Sequence, residues 1–263
     1  MQQMESAGEL SQKMSQKAIS ADTGITSRKK GFEYLNELFI KRHQKILWKA
    51  SRRIAAVCLF LLAAFLLAFC YLPQVKEKTN ELLMTSLPYF VFIMYAVNRG
   101  TGFTKALFMN CDHSLLTYSF YKQPGYVLKL FQIRLREIIK INLLPALVIG
   151  LGLALLLYCS GGTENPLDYG ILFISILCLS VFFSIHYLTL YYLLQPYNVG
   201  TEVKSGMYQI ALSATYFVCF YLMRLQMPTT LFGILCIAFC VLYSAAACFL
   251  VYTFAPKTFR LRQ

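Results

Sequence analysis

Residues 54–72 read IAAVCLFLLAAFLLAFCYL, nineteen residues without one strongly polar side chain, ended by Pro73. A helix rises about 1.5 Å per residue, so about 20 apolar residues cross the roughly 30 Å hydrocarbon core of a bilayer. The stretch therefore reads as a transmembrane helix. Five further runs of the same character follow at 82–98, 141–158, 169–194, 207–224 and 231–255, and the six together take up close to half of the chain. A β-barrel would need alternating strands of about ten residues, whereas these runs are continuously apolar. The expected fold is all-α: a polytopic membrane protein with six transmembrane helices.

Six crossings place both termini on one side, and Lys and Arg say which. Eleven precede residue 54, seven lie between Asn98 and Lys140, and Lys204, Lys257, Arg260 and Arg262 complete that face, 22 of the 25 in the chain. Only Lys76, Lys78 and Arg224 fall on the other side. Because cationic loops stay inside, both termini and the 99–140 loop are expected to be cytoplasmic. The same count disposes of the +13 net charge as a nucleic-acid signal: it records orientation.

Composition agrees. Of 263 residues 57% are hydrophobic and 14% charged, against about 45–50% and about 25% in soluble domains. Seven of the nine Cys lie inside apolar runs, so neither a disulfide framework nor a zinc site is indicated. The first 30 residues are polar, read as disordered, and carry no apolar core of a signal peptide.

Between that start and the first span, residues 31–53 carry Phe32, Leu35, Phe39, Ile46 and Leu47 at helical spacing, opposite Lys41, Arg42, Lys45, Lys49, Arg52 and Arg53. This pattern predicts an amphipathic helix in the membrane interface, with Trp48 at headgroup depth and the cations near anionic lipid. A plain topogenic anchor fits the pattern equally.

The 99–140 loop has more organisation than a connector needs. In CDHSLLTYSFY, Asp112 or Ser114 can cap a short helix bearing Leu115, Leu116, Tyr118, Phe120 and Tyr121. Lys122 to Gly125 then reads as a turn, after which Val127, Leu128, Phe131, Leu135, Ile138 and Ile139 form an apolar stripe running straight into the third span. Such a helix suits docking to another protein, or packing under the bundle to close its inner end.

Chemical motifs are absent: there is no P-loop, no H-E-x-x-H, no G-x-S-x-G and no acidic residue in mid-span. Cys111-Asp112-His113 resembles a ligand set, but three adjacent helical residues point in different directions. The chain is not expected to be an enzyme by itself, nor to bind a metal or cofactor of its own. Polar residues in or near spans are Asn142, His186 and Gln209, with a path or packing role open. For His186, a hydrogen bond to a neighbouring helix is favoured over transport. Tyr187, Tyr191, Tyr192 and Tyr197 fit an aromatic belt as well as a substrate wall.

The order of these elements resembles the membrane (permease) subunit of a type-2 ABC exporter. More closely, FMNCDHSLLTYSFYKQPGYVLKLFQIRLREIIKINLLPAL and YYLLQPYNVGTEVKS are similar to segments of ABC exporter permeases of Gram-positive, Firmicute-type bacteria, over roughly residues 100–263. The resemblance implies an elbow helix at Phe32, Leu35, Phe39 and Trp48, and a coupling helix at Asp112, Ser114, Leu115, Leu116, Tyr118, Phe120 and Tyr121. It also implies a bacterial cell membrane location, two copies of a cytoplasmic ABC ATPase carrying ATP and Mg, and a second permease copy or homologous half. Residues 256–263 would form a basic cytoplasmic tail. Two departures stand out: only Leu225 to Thr230 separates the last two spans, and such permeases are often about twice this length. The competing expectation is a non-transporting assembly or regulatory subunit that docks a different cytoplasmic partner.

Overall fold

The computed structural model describes residues 26–118, 123–197 and 205–260, and among them it is all-helical, with no strand. Helix α1 spans Phe32–Tyr71, forty residues in one piece. The interfacial helix expected at 31–53 is thus not a separate element. No Gly or Pro interrupts the run, and Asn36, Phe39, His43, Leu47, Ser51 and Ala55 form one buried stripe that continues past the start of the apolar segment.

Helices α2 (Pro73–Thr85) and α3 (Leu87–Val97) meet at Ser86 with an 86° bend. Pro88, in the first turn of α3, has no N–H to continue the α2 ladder and its ring excludes the preceding carbonyl, so the break falls there. The expected span at 82–98 is correspondingly shorter at its start. It gains at its end, because after Asn98 and Arg99 the chain continues as α4 (Gly100–Leu107), a π-helical turn (Phe108–Asp112) and a last turn to Leu115. The amphipathic α2 is tied across the bundle end: Asn80 Nδ2 donates to the Gly162 carbonyl at 2.9 Å, and Thr229 Oγ1 to the Leu83 carbonyl at 2.7 Å.

Helix α5 covers Pro124–Ser160 with Pro124 at its first position, so the Pro-Gly expected to end the loop helix opens the next one instead. Gly161 and Gly162, both at positive φ, stop it. Pro145 lies inside α5 and cannot bond the Ile141 carbonyl one turn back. Ser51 Oγ of α1 donates to that carbonyl at 2.6 Å, and Ser180 Oγ of the next helix donates to the neighbouring Asn142 carbonyl at 3.2 Å. The backbone acceptor that Pro145 frees inside the apolar bundle, the Ile141 carbonyl, is thereby satisfied, and the Asn142 carbonyl gains an interhelical donor.

Helices α6 (Leu167–Leu194), α7 (Gly206–Leu222) and α8 (Thr229–Thr258) complete the fold. Among the described residues four helices, α1, α5, α6 and α8, are long and apolar enough to cross a membrane; the bent α2/α3–α4 pair makes a fifth if it counts as one span, and α7 is apolar but shorter. Helix α6 is central, packed on both α5 and α8, with α1 laid along α5. The core is double. One half, around Leu83, Met94, Ile176 and Phe183, fills the apolar bundle, and the other, around Phe39, Phe103, Phe131, Tyr191 and Phe259, fills the end from which the loop emerges.

Candidate functional site

The second core holds a buried ionic knot. The π turn at Phe108–Asp112 adds a residue to one turn of the helix and rotates the chain beyond it, so Asp112 points inward. It caps nothing: no side-chain capping bond forms at the start of His113–Leu115. Its carboxylate is instead gripped in two-pronged fashion by Arg134 of α5, with Nη1 donating to Oδ2 at 2.7 Å and Nη2 donating to Oδ1. Tyr191 of α6 donates to the same Oδ2 at 2.6 Å, and Arg134 Nη1 also donates to the Tyr192 hydroxyl at 2.9 Å. Arg134, Asp112, Tyr191 and Tyr192 are all at 0–1% exposure.

Around the knot, Phe259 stacks on Tyr192 with ring centroids 4.4 Å apart and Phe131 meets its edge at 5.4 Å. Burial lifts the neighbouring Cys111 thiol above its ordinary range, with Arg134 opposing the rise and Asp112 adding to it. The thiol stays protonated and a poor nucleophile. A second clasp holds the stem of the same loop: the Tyr197 hydroxyl, just past α6, donates to the Thr101 carbonyl at 3.2 Å and lies 3.1 Å from Thr104 Oγ1. Of the tyrosines read as a belt or wall, Tyr191, Tyr192 and Tyr197 are therefore interior to the core at the loop end, and Tyr187 is buried in the core of the bundle.

The remaining expected site residues divide by this geometry. Leu116 is buried and Leu115 half-buried against the aromatic core, whereas Ser114 is exposed and Tyr118 is 56% exposed at the tip. Phe120 and Tyr121 lie outside the described residues. On α1, Phe39 is buried, stacked on His43 at 4.5 Å and edge-on to Phe103 at 6.5 Å; Phe32 and Trp48 pack partly, and Leu35 is exposed. Asn142 is buried, accepting from the Arg99 backbone N–H at 3.0 Å and donating to Ser184 Oγ at 2.9 Å, so it pins the α3–α4 joint to α5 and α6. His186 bonds Tyr243 of α8 at 2.8 Å and Thr215 of α7 at 2.9 Å, the interhelical bonding that its place in the span favoured. Gln209 is exposed near the start of α7. Among the described residues no group of His, Cys, Asp and Glu is placed to hold a metal.

Arg134 is the residue that the periodicity missed. It sits seven residues after Val127 and four before Ile138, on the apolar stripe itself, and only Asp112 and Glu137 of its loop carry negative charge. A cation on a buried stripe demands an acid, and that demand was the available signal. What the knot does is mechanical: it fastens the loop to two long helices with bonds that cannot exchange with water. Compared with family models, with curated proteins and with solved structures, the chain matches none, and the reading of this site rests on its geometry.

Proposed function

We propose that this chain is the membrane-embedded subunit of an ATP-driven exporter, forming the translocation path and docking a separate ATPase through the loop tip at Ser114 to Tyr118. The observation that carries the reading is the Asp112–Arg134–Tyr191 knot. A load applied at the tip passes through it into α5 and α6, which extend from the loop end through the bundle. A loop serving only as a connector gains nothing from a fully buried ion pair, which costs more desolvation than most contacts repay.

In this reading the chain crosses the bacterial cell membrane six times. The α2 bend supports α2 lying along the outer surface, α3–α4 forms the second crossing and the seventeen-residue α7 the fifth. Both termini and the loop face the cytoplasm, and the first part of α1 serves as the elbow. ATP and Mg belong to the partner ATPase, present in two copies, and a second permease copy or homologous half completes the path. Affinity purification of the full-length chain from its native membrane tests the proposal: co-purification of a P-loop ATPase is the expected result. A stable complex with a different cytoplasmic partner and no ATPase would favour the assembly or regulatory subunit.

A further inference from the structure

A cavity of about 420 Å³ lies under α2, walled by Phe65 of α1, Phe90 and Ile93 of α3 and Leu153 of α5. Helix α2 closes it with Val75, Lys78, Thr79, Leu82 and Leu83, positions i, i+3, i+4, i+7 and i+8 and so one helical face. Thr79 Oγ1 donates to the Val75 carbonyl at 2.7 Å, which spends its proton within the helix. Lys78 is the single charged residue of the lining. It is exposed at the edge of that face, which sets its aliphatic stem against the cavity and its ammonium at the rim. Both acids of α2, Glu77 and Glu81, fall outside the lining, and among the described residues no carboxylate pairs with Lys78. Arg134 poses the same demand on its own apolar stripe and finds Asp112; for Lys78 the described residues supply no acid.

The shape of the cavity completes the description of its occupant. Phe65, Leu82 and Tyr89 all line it and are all exposed, so it opens to the side, toward the bilayer in the proposed orientation. Helix α3 leaves α2 at 86°, and from its start at Leu87 to Ile93, the farthest lining residue along it, is six residues, about 9 Å. That depth lies within one leaflet of a roughly 30 Å hydrocarbon core. A guest that satisfies both walls is apolar beneath α2 and anionic at its rim. We infer that this cavity is a binding site for one anionic phospholipid, the upper part of an acyl chain lying under α2 and the phosphate at Lys78. The inference rests on the membrane-spanning part of the proposed function, with α2 along the outer surface, and is independent of the ATPase.

The test titrates the purified full-length chain in detergent with dioleoyl phosphatidylglycerol or dioleoyl phosphatidylcholine and counts bound lipid by native mass spectrometry. Phosphatidylglycerol should bind about two- to fivefold better than phosphatidylcholine, the worth of one exposed ion pair. Lys78→Gln should weaken one bound phosphatidylglycerol by that factor and leave phosphatidylcholine unchanged. Lys76→Gln, the same loss of charge on α2 but outside the lining, should alter neither lipid. Val75→Trp, which fills the cavity, should remove one bound lipid of either kind. Equal binding of the two lipids by the wild-type chain, equal effects of Lys78→Gln and Lys76→Gln, or undiminished binding by a folded Val75→Trp variant each overturns the inference. A chain that inserts and carries its ATPase yet binds no lipid overturns this inference alone; a chain that fails to insert overturns the membrane reading beneath it.

Discussion

Tyr191 and Asp112 are 79 residues apart in sequence, yet the phenol oxygen of one lies 2.6 Å from a carboxylate oxygen of the other, the same oxygen that Arg134 holds. Three elements, the loop, α5 and α6, are joined at one atom. Breaking the knot from one side strands a buried charge, and Asp112→Asn or Arg134→Met should each lose about 3–5 kcal/mol of stability. The double variant Asp112→Leu with Arg134→Met removes both charges and should recover much of the loss. Thermal unfolding of the detergent-solubilised protein reads all three. Tyr191→Phe removes one hydrogen bond to the charge and should cost about 1.5–3 kcal/mol.

Ser51 and Pro145 form a second such dependence. Ser51→Ala leaves the Ile141 carbonyl without its donor and should cost about 1–3 kcal/mol. In a Pro145→Ala background the helix itself can supply the donor, so the same Ser51→Ala change should then be nearly neutral. The coupling energy from the double-mutant cycle measures it.

Close helix approach depends on Gly233. A Cβ there would collide with Ile171 Cγ2 and lie 2.9 Å from Ser175 Oγ. Gly233→Ala should therefore destabilise by about 1–3 kcal/mol by pushing α8 off α6. Gly170→Ala, with nothing within 4 Å of the added methyl, should be neutral or slightly stabilising in the same unfolding assay.

Orientation is testable by thiol labelling in a background with the nine native cysteines replaced. Lys76→Cys should react with a membrane-impermeant maleimide in intact cells, and Ser114→Cys only after permeabilisation. The reverse pattern would invert the topology.

Docking through the loop tip predicts that Tyr118→Asp separates ATP hydrolysis from transport while membrane insertion is unchanged. Leu115→Asp and Phe120→Asp should do the same, with Leu115→Asp also lowering stability because that side chain packs on the aromatic core. Unaltered coupling in a folded Tyr118→Asp protein would remove the docking role.

The spans were legible because hydrophobic length is a property of the chain alone: α1, α5, α6 and α8 each contain an expected apolar run. His186 was legible for a related reason, since a lone imidazole in an apolar helix must find a partner on a neighbour. Other features depended on long-range partners. The continuity of α1 comes from its buried stripe meeting α5, which the mixture of cations around Phe39 and Leu47 concealed. The inward turn of Asp112 depends on a π-helical residue count that no periodicity reports. Tyr191 and Tyr192 read as membrane-interface residues because their real neighbours, Asp112 and Arg134, come from a segment that reads as a cytoplasmic loop.

The knot also imposes an order on assembly. Asp112 and Arg134 leave the ribosome well before Tyr191, and Phe259, which stacks on Tyr192, follows Asp112 by 147 positions. At ordinary synthesis rates that interval is roughly 7–30 s. Throughout it the carboxylate and guanidinium stay hydrated on the cytoplasmic side in the proposed orientation, while the apolar helices between them and Phe259 are still being threaded into the bilayer. The inner end of the bundle is accordingly the last region to become dry.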